Sequence, residues 1–427
     1  MTKEMEIRLA FGREKLVVPP RLSAYPVLAA PGLEAAKRPE ELLAQAASQA
    51  AEKLAALSAP CEPLALIVPD RTRPLPLPDI LPPVLSALAR KGFAASGITL
   101  IPASGMHRPM DLREFKEWIG PEAAESGVRL SPHDCDAPGI ELGSTGSGIP
   151  VVVHPQAANA GALLILGRIV FHYLAGFGGG RKMISPGISA RETILAIHRR
   201  CLSSEPGAGR HKGARTGRLE GNPVNEGACE AARFFPRAVC IHFHITEQGK
   251  LSRAAVGDPV ADHARECEVY AASYRTLVPE PLDAVIVSAG GAPLDGDLVQ
   301  AHKALDAVAP VVRDGGTVIL VARCDRGVGN PELLEGFRLG SPQAVEAELR
   351  RDFRVGLHTA MAFLEKTRRL SVYALTELPD EILTLCGMGR VRSLEEAEKI
   401  LRDRHGENAR IALAPSGASL LYEIGKS

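Results

Sequence analysis

Leu64-Ala65-Leu66-Ile67-Val68-Pro69-Asp70-Arg71-Thr72-Arg73-Pro74 is the stretch from which the rest of the chain can be read. An apolar run without a polar interruption stops at a proline and an acid. A run this short and this uniform is that of a strand buried on both faces, the condition of a parallel sheet rather than of a half-exposed antiparallel one. Residues 98–101 stop in the same way before Pro102, and residues 163–166 before Gly167. Helical patterns lie between the runs. Residues 40–57 follow Pro39 with alanines and leucines at helical spacing, and residues 77–91 open between Pro76 and Pro78. Alternating strand and helix means an α/β fold, with polar residues gathered at the C-terminal ends of strands, where open sheets bind ligands.

The alternation restarts past a polar, proline-containing stretch at 278–281. Residues 282–288 read as a strand, Gly290-Gly291 as a turn, 297–312 as a helix and 317–322 as a strand, with later strands at 370–375 and 411–414. A chain of 427 residues exceeds what one hydrophobic core sustains. The expectation is therefore two α/β domains with mainly parallel sheets: 1–277, carrying the chemistry, and a smaller 278–427 closing an active-site cleft. The Ser144-Thr145-Gly146-Ser147-Gly148 stretch reads as a turn before a strand at 149–153.

Apolar residues make up 45% and charged residues 23%, an ordinary globular balance. Lys plus Arg and Asp plus Glu are equal at 50 each, so no global field favours nucleic acid or an anionic membrane, and a charged ligand must be met by local groups. The first residues lack the basic-then-apolar run of a secretory signal, and no stretch approaches the roughly 20 apolar residues of a membrane span. A cytoplasmic protein is expected. Eight cysteines are scattered without a CxxC pair, which reads as reduced core residues.

Three segments carry chemistry. Asp70, Arg71 and Arg73 end the first strand, and prolines delay the next helix; the segment is either a surface ion-pair turn or the charged edge of a site. Ile101-Pro102-Ala103-Ser104-Gly105-Met106-His107-Arg108-Pro109 repeats that geometry on the following strand, which sets His107 beside Asp70. The densest segment is Phe171-His172-Tyr173-Leu174-Ala175-Gly176-Phe177-Gly178-Gly179-Gly180-Arg181-Lys182-Met183-Ile184-Ser185-Pro186-Gly187. Its glycines allow close backbone approach, with an amine beside them. It matches neither the GxxxxGK[ST] phosphate loop nor the GxGxxG dinucleotide fingerprint. Residues 190–200 look helical with His198 near the end, and Gly221-Asn222-Pro223-Val224-Asn225-Glu226 looks like a loop capping another helix. Neither HExxH nor CxxC is present, which leaves weak support for a metal held by protein alone, whereas a metal carried mostly by an organic ligand with one imidazole completing it needs no motif.

Asp70-Arg71-Thr72-Arg73-Pro74, Gly105-Met106-His107-Arg108-Pro109, His172 with Gly179-Gly180-Arg181-Lys182 and Pro186-Gly187, and Gly221-Asn222-Pro223 resemble, in order and spacing, the nickel-pincer lactate racemase family. Gly290-Gly291-Ala292-Pro293-Leu294-Asp295 with Gln300 and Lys303 extends the resemblance over most of the chain. The resemblance implies a nickel-pincer nucleotide (a pyridinium-3-thioamide-5-thiocarboxylic acid mononucleotide with Ni2+) tethered to Lys182, with His198 as the protein ligand to nickel and Gln300 as a further cofactor contact. It implies His107 and His172 as paired acid/base groups, and Arg73, Lys303 and Asp70 around the substrate carboxylate. It also implies separate cofactor-synthesis enzymes as partners and a small 2-hydroxy acid as substrate. Hydride removal and return through a 2-keto acid would invert the carbon without a carbanion next to a carboxylate. Arg71 and Leu357-His358 depart from the family's pattern and leave the substrate open within its class. His302, His358 and Arg323 are candidates to line the pocket, a role ranked below core or surface roles for each. The competing readings are a non-catalytic nucleotide- or anion-binding member of the family and a nicotinamide-dependent 2-hydroxy acid dehydrogenase.

Overall fold

In the computed structural model, which describes residues 6–425, the chain forms two compact α/β units. The first comprises Gly32–Cys201 and Lys212–Ser273; the second comprises the residues up to Pro31, Leu202–His211, and Tyr274 onward.

The sheet of the first unit has the order Leu251–Gly257, Ala238–Ile245, Ala162–Arg168, Leu64–Pro69, Ile98–Ala103, Arg129–Leu130. Neighbours are parallel except the edge strand Leu251–Gly257. Alternate residues of Leu64–Pro69 enter opposite cores: Leu64, Leu66 and Val68 pack with Leu54, Leu81 and Phe115, while Ala65 and Ile67 pack with Ile165, Ile184 and Ile188. Burial on both faces is why the run carries no polar residue. The chain moves outward from Leu64–Pro69 to Ile98–Ala103 and Arg129–Leu130, then returns to place Ala162–Arg168 on the other side of Leu64–Pro69. That reversal opens a crevice at the C-terminal ends of those two strands, where loops leave in opposite directions.

The second unit has a wholly parallel sheet in the order Met388–Arg390, Ser371–Leu375, Val312–Val321, Leu282–Ser288, Ile411–Ala414. The helix expected over 297–312 ends earlier. It spans Leu298–Val308, followed by a 3-10 turn at Ala309–Val311 and the strand Val312–Val321. Pro310 has no N–H to continue the helical ladder, and the valines that follow favour extended backbone. The strand expected at 149–153 runs Pro150–Val153 and pairs antiparallel with Ile140–Ser144, outside the main sheet; residues 145–148 form its turn, Gly148 N–H donating to the Thr145 carbonyl at 2.9 Å.

Two segments that the expected 1–277 domain included lie with the second unit. Near the N-terminus, Arg8–Phe11 and Glu14–Val17 form a ribbon, and Leu9, Phe11, Val18 and Leu22 are buried with Ile286, Ile319 and Leu413. Buried Asp295 holds it, its carboxylate accepting from the backbone N–H groups of Gly12 at 2.6 Å and Arg323 at 3.1 Å. The segment Leu202–His211 is held by Glu346, whose carboxylate accepts from Gly207 N–H at 2.8 Å and Gly209 N–H at 2.7 Å. No helix among the described residues is long and apolar enough to cross a membrane. All eight cysteines are free thiols.

Candidate active site

Two strand ends meet at the crevice of the first unit. Arg168, the last residue of Ala162–Arg168, donates to the carbonyl of Pro74 at 2.7 Å and ties the loops that leave the two strands. The buried Asp70 carboxylate accepts from Thr72 Oγ1 at 2.7 Å and from Thr72 N–H at 3.1 Å, which folds the turn back on its own strand end. Its other oxygen lies 2.6 Å from His107 Nδ1. This is the pairing expected from adjoining strand ends, since Val68 and Pro69 pair in register with Pro102 and Ala103. The His107 turn is anchored by Gly105 N–H donating to the Gly187 carbonyl at 2.9 Å. A carboxylate only accepts, so Nδ1 is the donor and the neutral ring carries its lone pair on Nε2. Burial pushes the Asp70 carboxyl up, but the hydrogen bonds from His107 and Thr72 and the nearby Arg73 cation outweigh it and hold the group below the usual carboxylate range.

The glycine-rich segment follows Arg168. Phe171–His172 and Gly176–Phe177 form a tight antiparallel ribbon, and the turn within it directs the amides of Leu174 and Ala175 at His172 Nδ1, at 3.2 and 3.1 Å. His172 Nε2 lies 3.1 Å from Lys182 Nζ. The Lys182 pKa is pushed well below that of an ordinary lysine by burial and by the cations Arg181 and Arg73. Arg73 thus lies within electrostatic reach of both Asp70 and Lys182, which joins the two pairs into one cluster.

Arg181 is 1% exposed and works inward. It donates to Asn225 Oδ1 at 2.7 Å and to the Ala175 carbonyl at 2.9 Å, and packs on the ring of His263 at 3.1 Å. Gly180 has φ +50, and a Cβ there would lie 2.4 Å from the His263 ring, so the turn closes only with glycine. Asn222, buried, caps the helix Pro223–Ala232 and donates from Nδ2 to the carbonyls of Leu174 and Arg218.

His198 lies near the end of the helix Arg191–Arg199, with Nδ1 donating to the Ile194 carbonyl at 2.8 Å. That bond leaves Nε2 as the basic nitrogen, the arrangement in which imidazole ligates a metal. Another grouping of metal-type donors, Asp134, Cys135 and Asp136, is committed elsewhere, since Asp136 pairs with Arg191 and burial raises the Cys135 thiol. Gln300 and Lys303 belong to the second unit, on the helix Leu298–Val308, where Lys303 Nζ donates to Gln300 Oε1 at 2.5 Å.

Arg71 is spent on the helix Leu112–Ile119, donating to the Glu114 carbonyl at 3.0 Å. His302 and His358 are buried in the second unit with Nδ1 on helix carbonyls, and Arg323 pairs with Glu14 and Glu377. Sequence reasoning missed Arg168, Thr72, Asn225 and His263. Arg168 had a signal, being a cation ending an apolar run as Asp70 does, and Thr72 had one in standing two residues after an Asp in a turn; Asn225 and His263 are set by long-range packing.

The N-terminal domain of lactate racemase matches residues 11–209 and the C-terminal domain of lactate racemase matches residues 278–422. The lactate racemase of Thermoanaerobacterium thermosaccharolyticum is 33% identical over 275 residues, 64% of this chain and 62% of that protein, so the aligned part spans less than two thirds of that relative. The lactate racemase of Lactiplantibacillus plantarum is 27% identical over 383 residues, 87% of this chain and 88% of the relative. Among solved structures, the lactate racemase apoprotein of T. thermosaccharolyticum superposes with a TM-score of 0.85 at 26% identity, covering 98% of this chain and all (100%) of that one. A Thermotoga maritima protein shares the fold at a TM-score of 0.66 and 19% identity over 93% of this chain and 100% of its own.

Proposed function

Because the chain belongs to the lactate racemase family, we propose that it is an isomerase that racemises or 2-epimerises a small 2-hydroxy acid with a nickel-pincer nucleotide tethered to Lys182. The observation that carries this reading is the pair of histidines in complementary forms. His107, with its Nδ1 on Asp70, offers a lone pair at Nε2; His172, with its Nδ1 on backbone amides, offers an N–H there.

The residues suit the proposed group. Lys182 is depressed toward its neutral, nucleophilic form, as covalent attachment requires, and His198, with Nδ1 on the Ile194 carbonyl, would ligate through Nε2. When bound, the nucleotide supplies a hydride acceptor and donor, so a carbon left planar between removal and return can be refilled from either face. The protein does the rest. His107 Nε2 takes the hydroxyl proton, and Asp70 stabilises the resulting imidazolium. Arg73 binds the carboxylate as a fork, with Arg168 adding positive potential next to it. Gln300 and Lys303 enter as cofactor and substrate contacts on the family pattern alone. The cofactor comes from separate synthesis enzymes, and the compartment proposed is the cytoplasm.

The test is production together with those enzymes, followed by intact mass, nickel analysis and optical rotation on single enantiomers of a series of 2-hydroxy acids, lactate included. A mass increment at Lys182, bound nickel and loss of rotation are expected. An unmodified Lys182 without nickel, despite competent supply, overturns the proposal. Lys182→Ala should abolish retention of nickel. His107→Ala should keep nickel and lose racemisation by about 10²- to 10⁴-fold.

A further inference from the structure

The Lys182–His172 contact restricts the protonation of both partners. Backbone N–H groups only donate, so the amides of Leu174 and Ala175, at 3.2 and 3.1 Å, require a lone pair on His172 Nδ1. The neutral ring must then keep its proton on Nε2, and a proton added to Nδ1 would face two N–H groups. Nε2 in turn faces Lys182 Nζ at 3.1 Å. An N–H donor needs a lone pair opposite, which an ammonium lacks and a free amine has. The surroundings agree. The charged groups that bear on Nζ are Arg181 on its own short helix and Arg73 from the loop after Leu64–Pro69, both cations, and both act with burial against an ammonium.

We propose that His172 works before turnover as a positioning residue: its Nε2–H holds Lys182 as a free amine ready for acylation, and acylation releases the ring to act on substrate. The release follows from bonding. In an amide or thioamide the nitrogen lone pair is delocalised and no longer accepts, so the capped lysine cannot keep the Nε2–H occupied. The step balances without a redox partner. The Nζ–carbon bond forms, the amine gives up one hydrogen, and the acyl donor's leaving group departs with it; for a thiocarboxylic acid becoming a thioamide, that product is water. Loading and readiness for catalysis are thereby linked, and an unloaded site keeps its second acid/base group engaged.

The inference rests on Lys182 being the tether, so its test reads the unloaded full-length protein and needs no nucleotide. In ¹⁵N-histidine-labelled protein, with the signal assigned by His172→Gln, long-range ¹H–¹⁵N spectra should show His172 as the neutral Nε2–H form. The ring nitrogen shifts should move when Nε-acetyl-lysine is installed at position 182. A neutral Nδ1–H form, or shifts unchanged on capping, overturns the proposal. Competitive acetylation with acetic anhydride, read by peptide mass spectrometry, should put the half-maximal labelling pH of Lys182 below that of the exposed Lys53 and Lys116. His172→Phe should raise that pH, and His172→Gln, whose side-chain amide still donates, should retain most of the effect; a wild-type Lys182 that labels like Lys53 overturns the proposal. If these hold and the nucleotide still fails to load, the cofactor reading alone falls. If it loads and these fail, this inference alone falls.

Discussion

Asp70 sets which nitrogen of His107 faces outward, and a single carboxylate is enough to do it. Asp70→Asn keeps the shape but presents an amide that bonds either tautomer, so turnover should fall by about 10²-fold or more with nickel content unchanged. Acid tests the other buried acid of this unit. Glu266 faces Arg253 at 2.7 Å and His244 at 2.9 Å; burial pushes its carboxyl up, but these partners prevail and bring it down to about 2. A folded-state value below the unfolded one, about 4.3 for Glu, stabilises the fold above the unfolded pKa, and this contribution is lost as pH falls through the folded one. The melting-temperature gap between wild type and Glu266→Gln should therefore be full above about pH 5 and close between about 4 and 2. The contact of Asp70 with His107 was legible because adjacent parallel strands end side by side. The bond of His172 to Lys182 was not, because it depends on how tightly the ribbon at 171–177 turns.

The glycine-rich turn and the helix Pro223–Ala232 behave as one piece. Asn222 caps that helix by accepting from the N–H groups of Val224 and Asn225 and reaches back to the Leu174 carbonyl, whose residue also supplies an amide to His172. Asn222→Ala should cost about 1–2 kcal/mol from the cap, checked by thermal melts, and should lower Lys182 loading as well. Asn222→Asp, which keeps the cap and loses the Nδ2 donor, separates the two effects. The cap was visible in sequence as Asn before Pro at the first helical turn. Its second role was not, since Leu174 and Asn222 are far apart in the chain. Strands and helices with a strong apolar period were legible almost to the residue, as at Leu282–Ser288 and Ile411–Ala414. The exception at 309–311 came where Pro310 broke a pattern that apolar spacing alone extended.

Each unit has its own core, and the second is closed by charges as well as apolar contacts. Asp306 is 5% exposed and meets Lys366 at 2.5 Å and Arg210 at 3.1 Å, which fastens Leu202–His211 to the helices Leu298–Val308 and Val355–Arg369. Asp306→Ala takes this acid away from the buried Lys366 and should destabilise this unit by about 3–5 kcal/mol. Faster hydrogen exchange across Val355–Arg369 and residues 202–211 is the expected readout. The linear chain determined the α/β class, the two sheets and the strand ends that bear Asp70 and His107, because periodicity and punctuation are local properties that a strand buried on both faces must display. Tertiary structure alone decided that residues 6–31 and 202–211 join the second unit, that Arg181 turns inward to hold the glycine turn, and that His172 meets Lys182. Those outcomes depend on which distant surfaces compete for one short segment, and no local pattern encodes that competition.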